Sequence, residues 1–178
     1  MKSNIVFIAT SLDGYISDKN GGIDWLHSVP NPDQIDMGYG DLMNRIDALV
    51  IGRNTYETVL SFGIDWPYNK PVFVLSNSLK EIPAELSNKV FIINGELPNI
   101  VKDLNSKGFN QLYIDGGKTI QSFLSEGLIN EFIITKIPLL LGGGTPLFGN
   151  LDTQVNVELI KSEVFLENIV QLNYKVVQ

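Results

Sequence analysis

The sequence predicts an α/β protein in three layers, with helices on both faces of a mostly parallel sheet and a C-terminal antiparallel hairpin. Two observations predict it. Short apolar runs alternate with helix-like segments from residue 5 to residue 141, and the tail from 155 to 177 holds two strand-like runs around "LEN". Alternating elements require crossover connections and so give parallel strands, whereas neighbouring strands joined by a tight turn pair antiparallel. The 178 residues contain no repeat, low-complexity tract or linker, so residues 1–178 are expected to form one domain.

Taken in order, residues 5–10 are apolar without alternation and read as a first strand buried on both faces. A long loop follows, marked by Gly14, Gly21, Gly22, Pro30 and Pro32. Residues 33–46 read as a helix and "DALVIG" (47–52) as a second strand. A short helix is expected over 55–61, then strands over 71–76 and 90–93. Residues 97–107 read as a helix stopped by Gly108, a residue that tolerates the left-handed conformation of a helix end. "QLYID" (111–115) is a strand, 117–126 a helix and 131–141 a long strand. The runs "VNVELIKSEVF" and "NIVQLNYKVV" close the chain.

Composition limits the function classes. Lys plus Arg is 13 and Asp plus Glu is 20, a net charge of −7, with the basic residues scattered rather than striped. A nucleic-acid or anionic-membrane surface is therefore not expected. No apolar run approaches membrane-spanning length, and "NIVFIA" is too short for a secretion signal. Cysteine is absent, which excludes disulfides and thiolate metal sites and fits a cytoplasmic protein. No metal-ligand cluster surrounds His27, the sole histidine.

The stretch "YIDGGKTI" (113–120) contains Gly117-Lys118-Thr119, the second half of a phosphate-binding P-loop. The complete motif needs a glycine five positions before Gly117, and that position is Leu112, inside a strand. An ATPase is excluded on spacing. Two strand-to-helix junctions nevertheless carry glycine, a cation and small polar groups: "IGRNTYE" (51–57) and "IDGGKTI" (114–120). Ligands of parallel sheets lie beyond the carboxyl ends of the strands, where helix N-termini present amides. Each junction alone reads equally as a capped turn. Together they suit a split site for an extended dinucleotide, although no G-x-G-x-x-G is present.

The segments "ATSLDGYIS", "GGIDWL", "IDALVIGRNTYE", "VLSNS", "IDGGKTIQSFL" and "PLLLGGGTPLF" occur in an order that resembles the dihydrofolate reductase-like superfamily. More closely, they resemble its stand-alone RibD C-terminal, or riboflavin-type reductase, domains. That resemblance implies a dihydrofolate reductase-like fold with NADPH as hydride donor. It implies that Gly52, Arg53, Asn54 and Thr55 form one cofactor turn, with Arg53 facing the 2′-phosphate. Ser76 and Asn77 would lie beside the same group, and Gly116, Gly117, Lys118 and Thr119 would hold the pyrophosphate. Ala9 and Ile16 match positions whose backbones hold the nicotinamide carboxamide. The family often has a cis Gly-Gly peptide where this chain has Asp115-Gly116.

The resemblance also assigns an acid. Asp36, read as partly buried near the start of the first helix, matches the catalytic carboxylate, and Thr135 matches the threonine that hydrogen-bonds it. The alternative is an Asp favoured by the helix dipole. Trp25 matches a substrate-side loop, and Lys70 stands where folate reductases carry an arginine for the glutamate tail. Gly40 replaces the aromatic that packs on the pterin; Tyr39 is a candidate substitute. The implied activity is reduction of a C=N bond in a pterin-like or pyrimidine-derived molecule. The alternatives are 5-amino-6-(5-phosphoribosylamino)uracil reductase and a catalytically inactive NADPH-binding protein. Family members are usually two-fold dimers, so a homodimer is expected, with Gly142–Gly144 and their apolar neighbours either at the subunit contact or ending a strand.

Overall fold

A computed structural model describes residues 2–177. Eight strands form one sheet in the order β5-β4-β3-β6-β1-β7-β10-β9. They are β1 (Ser3–Ser11), β3 (Ala48–Gly52), β4 (Val72–Leu75), β5 (Val90–Ile93), β6 (Gln111–Asp115), β7 (Glu131–Ile137), β9 (Asn156–Phe165) and β10 (Ile169–Val177). The pairings among β1, β3, β4, β5, β6 and β7 are parallel, and β10 is antiparallel to both β7 and β9. A separate two-stranded pair joins β2 (Tyr15–Ser17) to β8 (Thr145–Pro146). The three-layer dihydrofolate reductase-like fold with its closing hairpin is thus the observed architecture. Among the described residues, no helix is long and apolar enough to cross a membrane.

The unalternated strands are explained by two cores, one on each face of the sheet. Val6, Val50, Leu112, Ile114 and Ile134 point to one face and pack against α3 (Leu97–Ser106) and α4 (Gly117–Ser125). Ile5, Leu49, Ile51 and Tyr113 point to the other and meet α1 (Tyr39–Arg45) and α2 (Arg53–Ser61). Ala48 through Ile51 are completely buried, as is Phe123 on α4. Leu49, Val50, Ile51 and Phe123 each contribute about 1.5–3 kcal/mol of burial free energy.

Two expectations are corrected. The helix expected over 33–46 is confined to α1, because side chains capture the preceding backbone. Asn31 Oδ1 accepts from the amide of Ile35, and the Asp36 carboxylate accepts from those of Gly38 and Gly40. Such turns compete with helix, and here they leave Gln34, Met37 and Gly38 at positive φ. The long strand 131–141 ends at Ile137, since Pro138 has no N–H to donate to a ladder. The Asp115-Gly116 peptide, left open by the sequence, is trans, as no cis peptide occurs among the described residues.

The glycine run 142–144 contributes to packing within the chain. A Cβ on Gly144 would collide with the carbonyl of Ser17, and one on Gly143 would stand 2.6 Å from Lys19 Cε. Asp13, the loop residue beside Gly14, holds this segment by accepting from the amides of Leu141 and Gly142.

Candidate functional site

The two glycine turns lie side by side because β3 and β6 are adjacent and parallel, with Ile51 opposite Asp115. They interlock. A Cβ on Gly52 would stand 2.7 Å from Thr119 Oγ1, and a Cβ on Gly116 would collide with the Thr55 hydroxyl. Gly116 also sits at φ +96 and ψ 131, a conformation open to glycine. The result is a shallow cradle at the carboxyl ends of two strands, from which α2 and α4 lead away with their amide ends toward it. Ile16 closes its rim, since a Cβ on Gly117 would meet Ile16 Cδ1 at 2.7 Å. Ala9 lies on β1 opposite Thr135.

At one end of the cradle, Arg53 extends along α2. Its Nη1 donates to Ser78 Oγ at 2.8 Å, and its Nε pairs with Glu57 at 3.5 Å. Ser76 Oγ accepts from the amides of Ser78 and Leu79, which curls the chain so that Ser78, not Asn77, meets Arg53. Ser78 is therefore a residue that the sequence reading missed. Its signal was present in "LSNS", where a hydroxyl can hydrogen-bond the amides that follow it. Asn54, Asn77 and Lys118 are exposed around this surface.

The acid expected at Asp36 finds a different environment. Asp36 is exposed rather than partly buried, and the amides of Gly38 and then Gly40 hold its carboxyl below the ordinary range. Thr135 is buried, but its hydroxyl accepts from Gln171 Nε2 at 2.9 Å, not from a bond to Asp36. The same Gln171 amide donates to the carbonyl of Met37 at 2.9 Å. Thr135 is thus linked to the α1 entry turn through Gln171, which the sequence reading did not single out.

A second carboxyl has the opposite character. Asp115, the last residue of β6 and immediately before the glycine turn, is pushed up to about 6, chiefly by burial. One stabilising contact opposes this, the Gly116 amide donating to Oδ1 at 2.8 Å. The phenols of Tyr39, Tyr68 and Tyr113 lie within its field, and burial followed by the Asp115 charge raises each of them. Tyr113 donates to the Phe7 carbonyl at 2.9 Å, and Phe7 packs edge-to-face on Tyr39 at 6.0 Å. A protonatable carboxyl is thereby held among neutral phenols beside the cradle.

Other expected substrate residues disperse. Lys70 lines a cavity of about 490 Å³ with Trp66, Tyr68 and Lys89. Trp25 lies in a short 3-10 turn, Asp24–His27, with its indole nitrogen buried and unpartnered. No group of three or more acidic or histidine side chains able to hold a metal is found among the described residues.

Chemically, the cradle fits a phosphate-bearing dinucleotide. The missing Cβ atoms of Gly52 and Gly116 let the two turns close on the Thr119 and Thr55 hydroxyls, the helix ends present N–H groups, and Arg53 adds fixed positive charge. Comparison with known proteins places the chain among relatives. It is 59% identical to a candidate riboflavin biosynthesis protein of Shewanella sp. PV-4, whose crystal structure superposes with a TM-score of 0.96 over 99% of both chains. It is 34% identical to the uncharacterized protein YwjB of Bacillus subtilis over 97% of both chains. An Enterococcus faecalis dihydrofolate reductase complexed with NADP(H) shares the fold, with a TM-score of 0.64 at 17% identity, covering 98% of this chain and 96% of that one. The family model of the RibD C-terminal domain matches residues 3–171, and the chain belongs to that family.

Proposed function

We propose that the chain is an NADPH-dependent reductase acting on a C=N bond of a pyrimidine-derived molecule, a reaction of the riboflavin-forming type. The observation that carries this reading is the interlocked pair of glycine turns with Asp115 at their edge. Family membership and the Shewanella relative favour the pyrimidine side over pterins. So does Gly40, which offers no aromatic wall for a pterin.

The amides of the α4 N-terminus, with Lys118 and Thr119, would hold the pyrophosphate. Arg53, Ser76 and Ser78 would hold the 2′-phosphate, and the backbones of Ala9 and Ile16 the carboxamide. When bound, the cofactor supplies hydride. The substrate carbon gains that hydride, and its nitrogen gains a proton. Asp115 retains a proton to higher pH than an ordinary carboxyl and would deliver it. Asp36 would act by fixing the entry turn of α1, as its bonds to two amides suggest.

The test is calorimetric titration of the full chain with NADPH and NADH, followed by an acceptor screen at fixed NADPH. Binding of NADPH well above NADH, with oxidation driven by an aminopyrimidine imine, is the expected result. Binding of neither nucleotide would sink the reading.

A further inference from the structure

A groove of about 490 Å³ runs between α1 and the C-terminal hairpin, next to the candidate active site. Phe7, Ile133 and Phe165 form its apolar wall, and Asn44, Gln171 and Asn173 supply amide groups. It lies one aromatic layer from Asp115, because Phe7 packs on Tyr39 and Tyr39 is within the field of that carboxyl. Gly38 and Gly40 on the α1 side contribute no side chain to fill it. Asn173 donates to Glu131 and Gln171 to Thr135 and the Met37 carbonyl, while Asn44 presents its amide from an exposed position.

The charges in this groove decide what can enter. Its two cations are each tied to a carboxylate: Arg45 makes two bonds to Glu131, and Lys161 pairs with Glu163 at 2.7 Å. Asp36 and Asp41 remain without a cationic partner among the described residues. The amides of Gly38 and Gly40, the backbone groups best placed for an anion, already donate to Asp36. A phosphate dianion here would find no free donor cluster and two opposing carboxylates. Hydroxyl groups, which both donate and accept, match the carboxylate and amide lining.

We propose that this groove binds a neutral, polyhydroxylated chain of the substrate, so that the protein takes a dephosphorylated sugar-bearing heterocycle rather than a phosphate ester. The inference rests on the reductase reading for where the heterocycle sits, and on the groove alone for its chain.

Calorimetry on the full chain tests it with two probes: a uracil bearing a ribitylamino chain, and the same compound phosphorylated at the chain end. The neutral probe is expected to bind about tenfold or more tightly than its ester. Asn44→Trp, which fills the groove from an exposed position, should abolish neutral-probe binding while leaving NADPH affinity within about twofold. Asp41→Lys should narrow or reverse the preference. Equal or tighter binding of the ester overturns the proposal, as does unchanged probe binding by Asn44→Trp. Binding of neither probe by a chain that still binds NADPH overturns it too. Neutral-probe preference in a chain that binds no NADPH would remove the reductase reading and leave the groove assignment standing.

Discussion

Asp115→Asn separates the electrostatic cost of a buried carboxylate from its chemical use. Burial lifts this carboxyl from an ordinary 3.8 to about 6. That is about two pH units, equivalent to about 3 kcal/mol at 1.36 kcal/mol per unit. The residue is only partly buried, so water relieves some of the penalty and about 1–3 kcal/mol is the expected range. The sign follows from which state holds the proton more tightly. The folded value exceeds the unfolded one, so the favourable contribution is complete below about pH 4 and is lost as pH rises through about 6. Asparagine is neutral throughout and can still accept from the Gly116 amide through its side-chain oxygen. The variant should therefore match the parent near pH 4 and exceed it by about 1–3 kcal/mol at pH 8, raising Tm there by about 3–10 °C. Urea and thermal unfolding at pH 4, 6 and 8 measure this. Turnover should move the other way: parental kcat/KM should fall above about pH 6, and the variant should lose about a hundredfold or more while still binding NADPH. A stability difference that does not grow between pH 4 and pH 8 would refute the raised carboxyl and, with it, the proton-donor assignment.

Two further perturbations probe the cofactor end and the α1 entry. Arg53→Ala removes the fixed charge beside Ser78 and should weaken NADPH by about tenfold to a hundredfold with NADH nearly unchanged; equal loss for both nucleotides in a calorimetric titration would exclude Arg53 as the 2′-phosphate contact. Gln171→Leu takes a donor from both Thr135 and the Met37 carbonyl, and should cost about 1–3 kcal/mol in urea unfolding with faster hydrogen exchange at Gly38 and Gly40. An unchanged exchange rate there would mean that Gln171 does not anchor the turn.

The strands were legible because burial on both faces leaves a mark in one dimension. A run such as "ALVI", completely enclosed between two cores, has no alternation to misread. The α1 boundary was not legible, because its spacing suits a helix while Asn31 and Asp36 bind local amides instead. The β2–β8 pair was missed for another reason. It joins two short segments far apart in sequence, and the close approach of Gly144 to Ser17 depends on that long-range contact.

The same distinction explains the two carboxylates. Asp36 was visible because its place near the start of the first helix is a matter of sequence position, but position does not report solvation. Asp115 was read as a substitution in a glycine turn, because the groups around it come from positions 39, 68 and 113 and converge in the fold. Local amides stabilise the charge on Asp36, so it yields its proton early and is suited to holding backbone. Burial destabilises the charge on Asp115, so it keeps its proton to higher pH and is suited to giving it up during a reaction. The two acids are thus driven apart by their surroundings. On the proposed reading, that divergence gives Asp36 a structural role and Asp115 the chemical one, and the pH dependence of Asp115→Asn is where the proposal meets measurement.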